Sequence, residues 1–217
     1  MEALEAEGLA PELRLALAYT PATMRAPLAT FFALDQRLAR IVSAATEPML
    51  AQMRLAWWRD MLAKPVEERP TGDAVLDAIG EHWQGREHAL TRLVEGWEHL
   101  LAEPPLPREA ALAFAAARAE PFLVLPGDEG EAGDIAISAQ RWALVDAAAN
   151  LSDQDERAMM LDLASKLATR RTALPRALRG LAVLDALALR SLRRGGRPLM
   201  DGRGAALTAL RAGLLGR

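Results

Sequence analysis

The sequence predicts an all-α protein, a single-domain multi-helix bundle spanning residues 1–217. Three observations carry that expectation. Apolar residues make up 51% of the chain, yet aromatics make up only 5% and Leu and Ala dominate, a balance that favours helix over sheet. Apolar positions recur at spacings of three and four, with no strand-like alternation. The thirteen prolines and fifteen glycines fall mostly between the periodic segments, where they punctuate helices. A chain of 217 residues is long enough to bury one sizeable core.

Pro11 opens a short first helix that ends near Tyr19. Thr20-Pro21 then reads as an N-cap followed by a first-turn proline, starting a longer helix to about Ala45 with a kink or restart at Pro27. Thr46-Glu47-Pro48 repeats the start signal. The helix it starts, to about Lys64, places Leu50, Met53, Trp57 and Met61 on one apolar stripe, which is expected to face the core. Arg54 and Trp58 share a second face, and Arg54 is expected to be buried in a structural role.

Asp73 caps a short helix to about His82, and Leu90, Leu93, Val94, Trp97, Leu100 and Leu101 mark another, stopped by Pro104-Pro105. Pro107 opens a helix carrying Leu112, Ala115, Ala116 and Phe122. Pro126 to Gly130 reads as a loop, and a helix from about Glu131 to Asn150 follows. Ser152 with Asp155 resembles a capping box for a helix to about Thr169. Pro175 opens the next helix, which stops at Gly195-Gly196 after three arginines in its last turns, and a last helix covers Gly204 to Leu215.

Composition also sets limits on function. There is no Cys, which removes disulfides, thiolate zinc sites and a thiol nucleophile. His82, His88 and His99 include no pair at a spacing of three or four, so a helical zinc pair is missing. No serine sits in a G-x-S-x-G turn, and there is no P-loop and no G-x-G-x-x-G. The acidic beginning lacks a secretory-signal pattern, and no apolar run reaches the roughly 20 residues of a membrane span, so a cytoplasmic location is expected.

Charge is unevenly placed. From Lys166 to Arg217 twelve basic residues stand against two acids, whereas the first 165 residues carry fourteen bases and 27 acids. The basic helices of residues 175–217 either pack on acidic helices of the same chain or meet an external anion, whether a membrane surface or an acidic protein. Their arginines form no clean stripe and match no nucleic-acid module, so nucleic acid is disfavoured as a partner.

The segment EPMLAQMRLAWWRDML, Glu47 to Leu62, resembles a segment of bacterial squalene/phytoene synthase-like proteins. Upstream lies LALAYTPATMRAPLATFFALDQRLARIV, and downstream come LVEGWEHLL, AFAAAR and RWALVDAAAN. The similarity spans about residues 10–190 as a pattern, with RLAWWRD its most specific part, and the chain is shorter than is typical of the family. The resemblance implies an isoprenoid-synthase-like fold and head-to-head joining of two prenyl diphosphates. In the family, two Asp-x-x-x-Asp motifs hold magnesium ions that bind the diphosphate and stabilise it as it leaves.

Each motif is halved here. At the first place stands Asp35, with Ala39 four residues on; at the second stands Asp146, with Asn150 four on. Asn brings a carbonyl and no charge, so two lone carboxylates would hold magnesium poorly. The intact Asp73-x-x-x-Asp77 lies outside the family's pattern and reads as a cap plus a surface acid.

The resemblance thus implies a non-catalytic or altered family protein that binds a prenyl or lipid ligand or serves membrane-complex assembly. Family members that lack the aspartates include a mitochondrial assembly factor for respiratory complex I. No cofactor is expected on this reading, and a membrane-peripheral location would fit it. On the alternative of an active transferase, Asp35, Asp146 and Asn150 would hold Mg2+, and Arg25 or Arg54 would meet diphosphate. Tyr19, Phe31, Trp57 and Trp58 would line the prenyl cavity, or act by packing alone. A third alternative is a helical protein-interaction module that uses the basic C-terminal end.

Overall fold

A computed structural model describes residues 8–45, 47–125, 132–167 and 174–215. Among them are ten α-helices and two short 3-10 turns, and no strand. The helices are α1 (Pro11–Tyr19), α2 (Ala22–Ser43), α3 (Pro48–Ala63), α4 (Ala74–His82), α5 (Glu87–His99), α6 (Arg108–Val124), α7 (Ala132–Asn150), α8 (Gln154–Lys166), α9 (Arg179–Arg193) and α10 (Gly204–Leu215). Each matches a helix expected from the sequence, with ends shifted by a few residues. The expected cap at Thr46 and the loop at 126–130 lie outside the described residues.

Local sequence chemistry sets most boundaries. Asp73 caps α4 by accepting from the Val75 and Leu76 amides. Asp153, not Ser152, caps α8, accepting from the amides of Asp155 and Glu156. A carboxylate one residue on offered the stronger acceptor, so the expected box with Asp155 does not form. α9 stops where Gly195 and Gly196 take φ of 70° and 78°, which lets the Gly196 amide reach back to the Ser191 carbonyl. Thr20 does not cap α2. Its Oγ1 turns back to the Ala16 carbonyl at 2.9 Å and closes α1 instead, so α2 begins at Pro21 with no side-chain cap. α2 then runs on through Pro27 as one helix, and the Pro27 carbonyl accepts the indole N–H of Trp83 at 2.9 Å.

α9 is buried on nearly all sides from Gly180 to Ser191 and packs against α1, α7 and α10. The pairs α5–α6, α6–α7 and α7–α8 pack in sequence order, with α3 on α5 and α4 on α2. Where α9 meets α1, Gly180 is required: a Cβ there would lie 2.5 Å from Thr20 Oγ1 and 3.1 Å from the Ala16 carbonyl. Phe31 and Phe32 from α2, Phe122 from α6 and Trp142 from α7 fill the centre, with ring centroids 5.2 to 6.5 Å apart.

α3 overturns two expectations. Its core face is Ala51, Leu55, Trp58, Met61 and Leu62. Of the stripe expected to face inward, Met53 is 64% exposed, Leu50 50% and Trp57 40%; only Met61 is buried. Both stripes satisfy helical spacing, so periodicity does not choose between them, and docking on α5 does. Arg54 is exposed rather than buried, because it lies on the outward side of that docking.

Candidate functional site

Three helices converge on one ion cluster. Asp35 sits on α2 at the position where Leu28, Phe31, Phe32 and Leu38 mark the buried stripe. Arg118 sits on the buried stripe of α6, among Ala111, Phe114, Ala115 and Phe122. Asp146 comes from α7. Arg118 donates through Nε and Nη2 to Asp35, at 3.1 and 2.6 Å, and through Nη1 to Asp146 Oδ2 at 2.8 Å. Asp35 also accepts the indole N–H of Trp97, from α5, at 2.8 Å.

The cation is caged by rings as well. The Arg118 guanidinium carbon lies 4.0 Å from the Trp142 centroid, 5.5 Å from Trp97 and 5.7 Å from Phe114. Its side chain is 4% exposed and that of Asp35 1%, whereas Asp146 keeps 18%.

Burial acts on both partners. Desolvation pushes the Asp35 carboxyl up, against the pull of the Arg118 charge and the hydrogen bonds from Arg118 and Trp97. Desolvation alone would lower Arg118, but the two carboxylates outweigh it and hold the guanidinium more firmly charged than usual. Half-buried Glu12, on α1, is also raised, mainly by burial and further by the nearby charge of Asp146.

This arrangement does not fit a magnesium cluster. Both oxygens of Asp35 already accept hydrogen bonds, and a fixed positive charge stands between the two carboxylates where a divalent ion would have to sit. Asn150 spends its Nδ2 on the Asp146 carbonyl, 2.9 Å away at an exposed helix end. Among the described residues no group of three or more acidic or histidine side chains is placed to hold a metal ion.

The remaining expected residues lie elsewhere. Phe31 belongs to the packed aromatic centre and is fully buried. Trp58 is buried beneath the Arg37 guanidinium, 5.9 Å from its ring centroid, and Trp57 packs edge-on against it while facing outward. Arg59 bridges α3 to α5 through Glu98 at 3.0 Å. Tyr19 and Arg25 do come together, but in a different place: they line a surface pocket of about 440 Å³ with Arg176, Arg179 and Leu214. Arg25 precedes Asp35 by ten residues of α2, about 15 Å of helix rise.

Arg118 is the member of this cluster that sequence reasoning passed over. Its signal was present: a lone arginine on an apolar helical stripe must find a buried acid, and Asp35 stands on a stripe of the same kind.

No individually characterised protein and no solved structure matches the chain. A family model for squalene/phytoene synthase matches residues 10–123, more than half of its length, from the start of α1 through most of α6. That span contains Asp35, Trp97 and Arg118, and it ends before Asp146. The chain belongs to the squalene/phytoene synthase family.

Proposed function

We propose that this family member does not carry out magnesium-dependent prenyl transfer and that its helical bundle serves as a binding scaffold, for a prenyl or lipid ligand or in membrane-complex assembly. One observation carries the first half: Arg118 is clamped between Asp35 and Asp146, the two carboxylates that would otherwise be offered to metal. Freeing them would leave a buried guanidinium without its partners, which costs about 3–5 kcal/mol. The second half is supported by the outer faces. Met49, Leu50, Met53 and Trp57 on α3, and Leu207, Leu210 and Leu214 on α10, present large apolar side chains to the surface. No described helix is long and apolar enough to cross a membrane, so contact with a lipid phase through these helices would be peripheral.

The test is turnover. Purified protein with magnesium and farnesyl or geranylgeranyl diphosphate is expected to release no pyrophosphate above the protein-free rate, beside an active family enzyme as positive control. Enzyme-dependent release of pyrophosphate with a prenyl product would overturn the proposal.

A further inference from the structure

Near the start of α2, ten residues before Asp35, three arginines line one pocket, and no acid is among the described residues of its wall. Arg25 comes from the first turns of α2, Arg176 from the turn that opens α9, and Arg179 from the first residue of α9. None of them makes an ion pair among the described residues. Among the described residues Arg25 donates to the Thr20 carbonyl, at 3.2 Å, and the buried Nη1 of Arg179 has no hydrogen-bond partner. Three like charges held together without a counter-charge repel one another, and an anion relieves that repulsion.

The backbone adds to the same potential. α2 starts at this pocket, at Pro21 and Ala22, and α9 starts there at Arg179. Neither start has a side-chain cap, and neither first turn holds an acid. Both positive helix ends therefore remain unneutralised.

α10 supplies an apolar part of the wall, through Gly213 and Leu214. α10 turns its small residues inward, Ala205, Ala209 and Ala212, and its leucines outward. Leu207, Leu210 and Leu214 follow one another at spacings of three and four, and Leu214 lines the pocket itself. The helix is held close to α1 at Gly213, where a Cβ would lie 2.3 Å from the Tyr19 ring. Exposed Arg211 adds charge to the same helix, and exposed Arg203 lies in the turn just before it.

We infer that this pocket binds the phosphate of an anionic phospholipid headgroup, with the leucine stripe of α10 lying in the adjoining acyl boundary. A soluble phosphate would use the arginines and leave the leucines exposed for nothing; a lipid uses both. A volume of about 440 Å³ has room for a phosphate and its glycerol link. The inference deepens the membrane side of the proposed scaffold role and does not depend on whether prenyl transfer occurs.

Flotation with liposomes tests it, comparing phosphatidylcholine alone with phosphatidylcholine containing phosphatidic acid. The protein is expected to float only with the anionic lipid, and less at raised salt. R176Q and R179Q are each expected to weaken binding about fivefold. Replacing Leu207, Leu210 and Leu214 together by Ser is expected to weaken it further, while L112S at an exposed position of α6 leaves it unchanged. Circular dichroism confirms that each variant is folded. Three outcomes would overturn the inference: no anionic-lipid binding, binding indifferent to the arginine and leucine variants, or thermal stabilisation by inorganic pyrophosphate without any flotation. Each is distinct from pyrophosphate release, the result that would overturn the non-catalytic reading.

Discussion

At the scale of single residues, Arg118 holds the buried ion cluster together. It makes one bidentate and one single ion pair, and its flat guanidinium lies against Trp142. A lysine ammonium could neither fork across Asp35 nor stack on the indole. R118K and R118M are therefore both expected to destabilise the protein, by about 3–5 kcal/mol for R118M, as measured by urea unfolding. R118M combined with D35L is expected to recover part of that loss, because fully buried Asp35 is no longer left charged without a partner and only Asp146, 18% exposed, loses its ion pair. A loss in the double variant equal to the sum of the single losses would count against the clamp.

Asp73 offers a second test at the same scale. Burial would raise its carboxyl, but the α4 amides and the Arg37 guanidinium outweigh burial and hold it below the usual carboxylate range. Its folded-state pKa is thus depressed. The resulting stability is fully present above the ordinary value, about 3.9, and fades as pH falls through the folded value. D73A is expected to cost about 1–2 kcal/mol at neutral pH, and its difference from wild type is expected to shrink as pH falls below the ordinary carboxylate value of about 3.9. Chemical denaturation at several pH values checks both parts.

At the scale of elements, α3 shows how two stripes compete for one core. Trp58 is 4% exposed and Trp57 40%, although they are neighbours in the chain. Substituting each in turn reads out which face is docked. W58A is expected to cost about 3–5 kcal/mol, as large-to-small changes in cores do. W57S is expected to change stability by less than about 1 kcal/mol, part of that from its edge contact with Trp58. Thermal melts of the two variants decide it, and a larger loss for W57S than for W58A would mean that α3 is docked the other way round. α10 follows the opposite economy to an ordinary surface helix, with alanines inside and leucines outside, because α1 and α9 leave it too little depth for larger side chains.

At the scale of the whole molecule, the uneven charge is partly spent inside the fold and partly left at one end. Arg141 pairs with Asp185 across α7 and α9, and Arg194 and Arg197 share Asp201. Arg176, Arg179, Arg203 and Arg211 make no ion pair among the described residues, and the first two face the pocket at the head of α2. The helices themselves were legible in the chain: α1 and α10 have the bounds their sequence signals gave, and Asp73 and Gly195-Gly196 act as the stop and start signs they resemble. Those features depend on residues within a turn of one another, which is why sequence alone determined the all-α class and the order of the helices. Only the tertiary structure decided which stripe of α3 is inside, that Tyr19 and Arg25 belong with Arg176 and Arg179, and that Arg118 stands between Asp35 and Asp146. Each of those outcomes joins residues far apart in the chain, and their contact is set by which helices dock, an outcome of packing that no local spacing encodes.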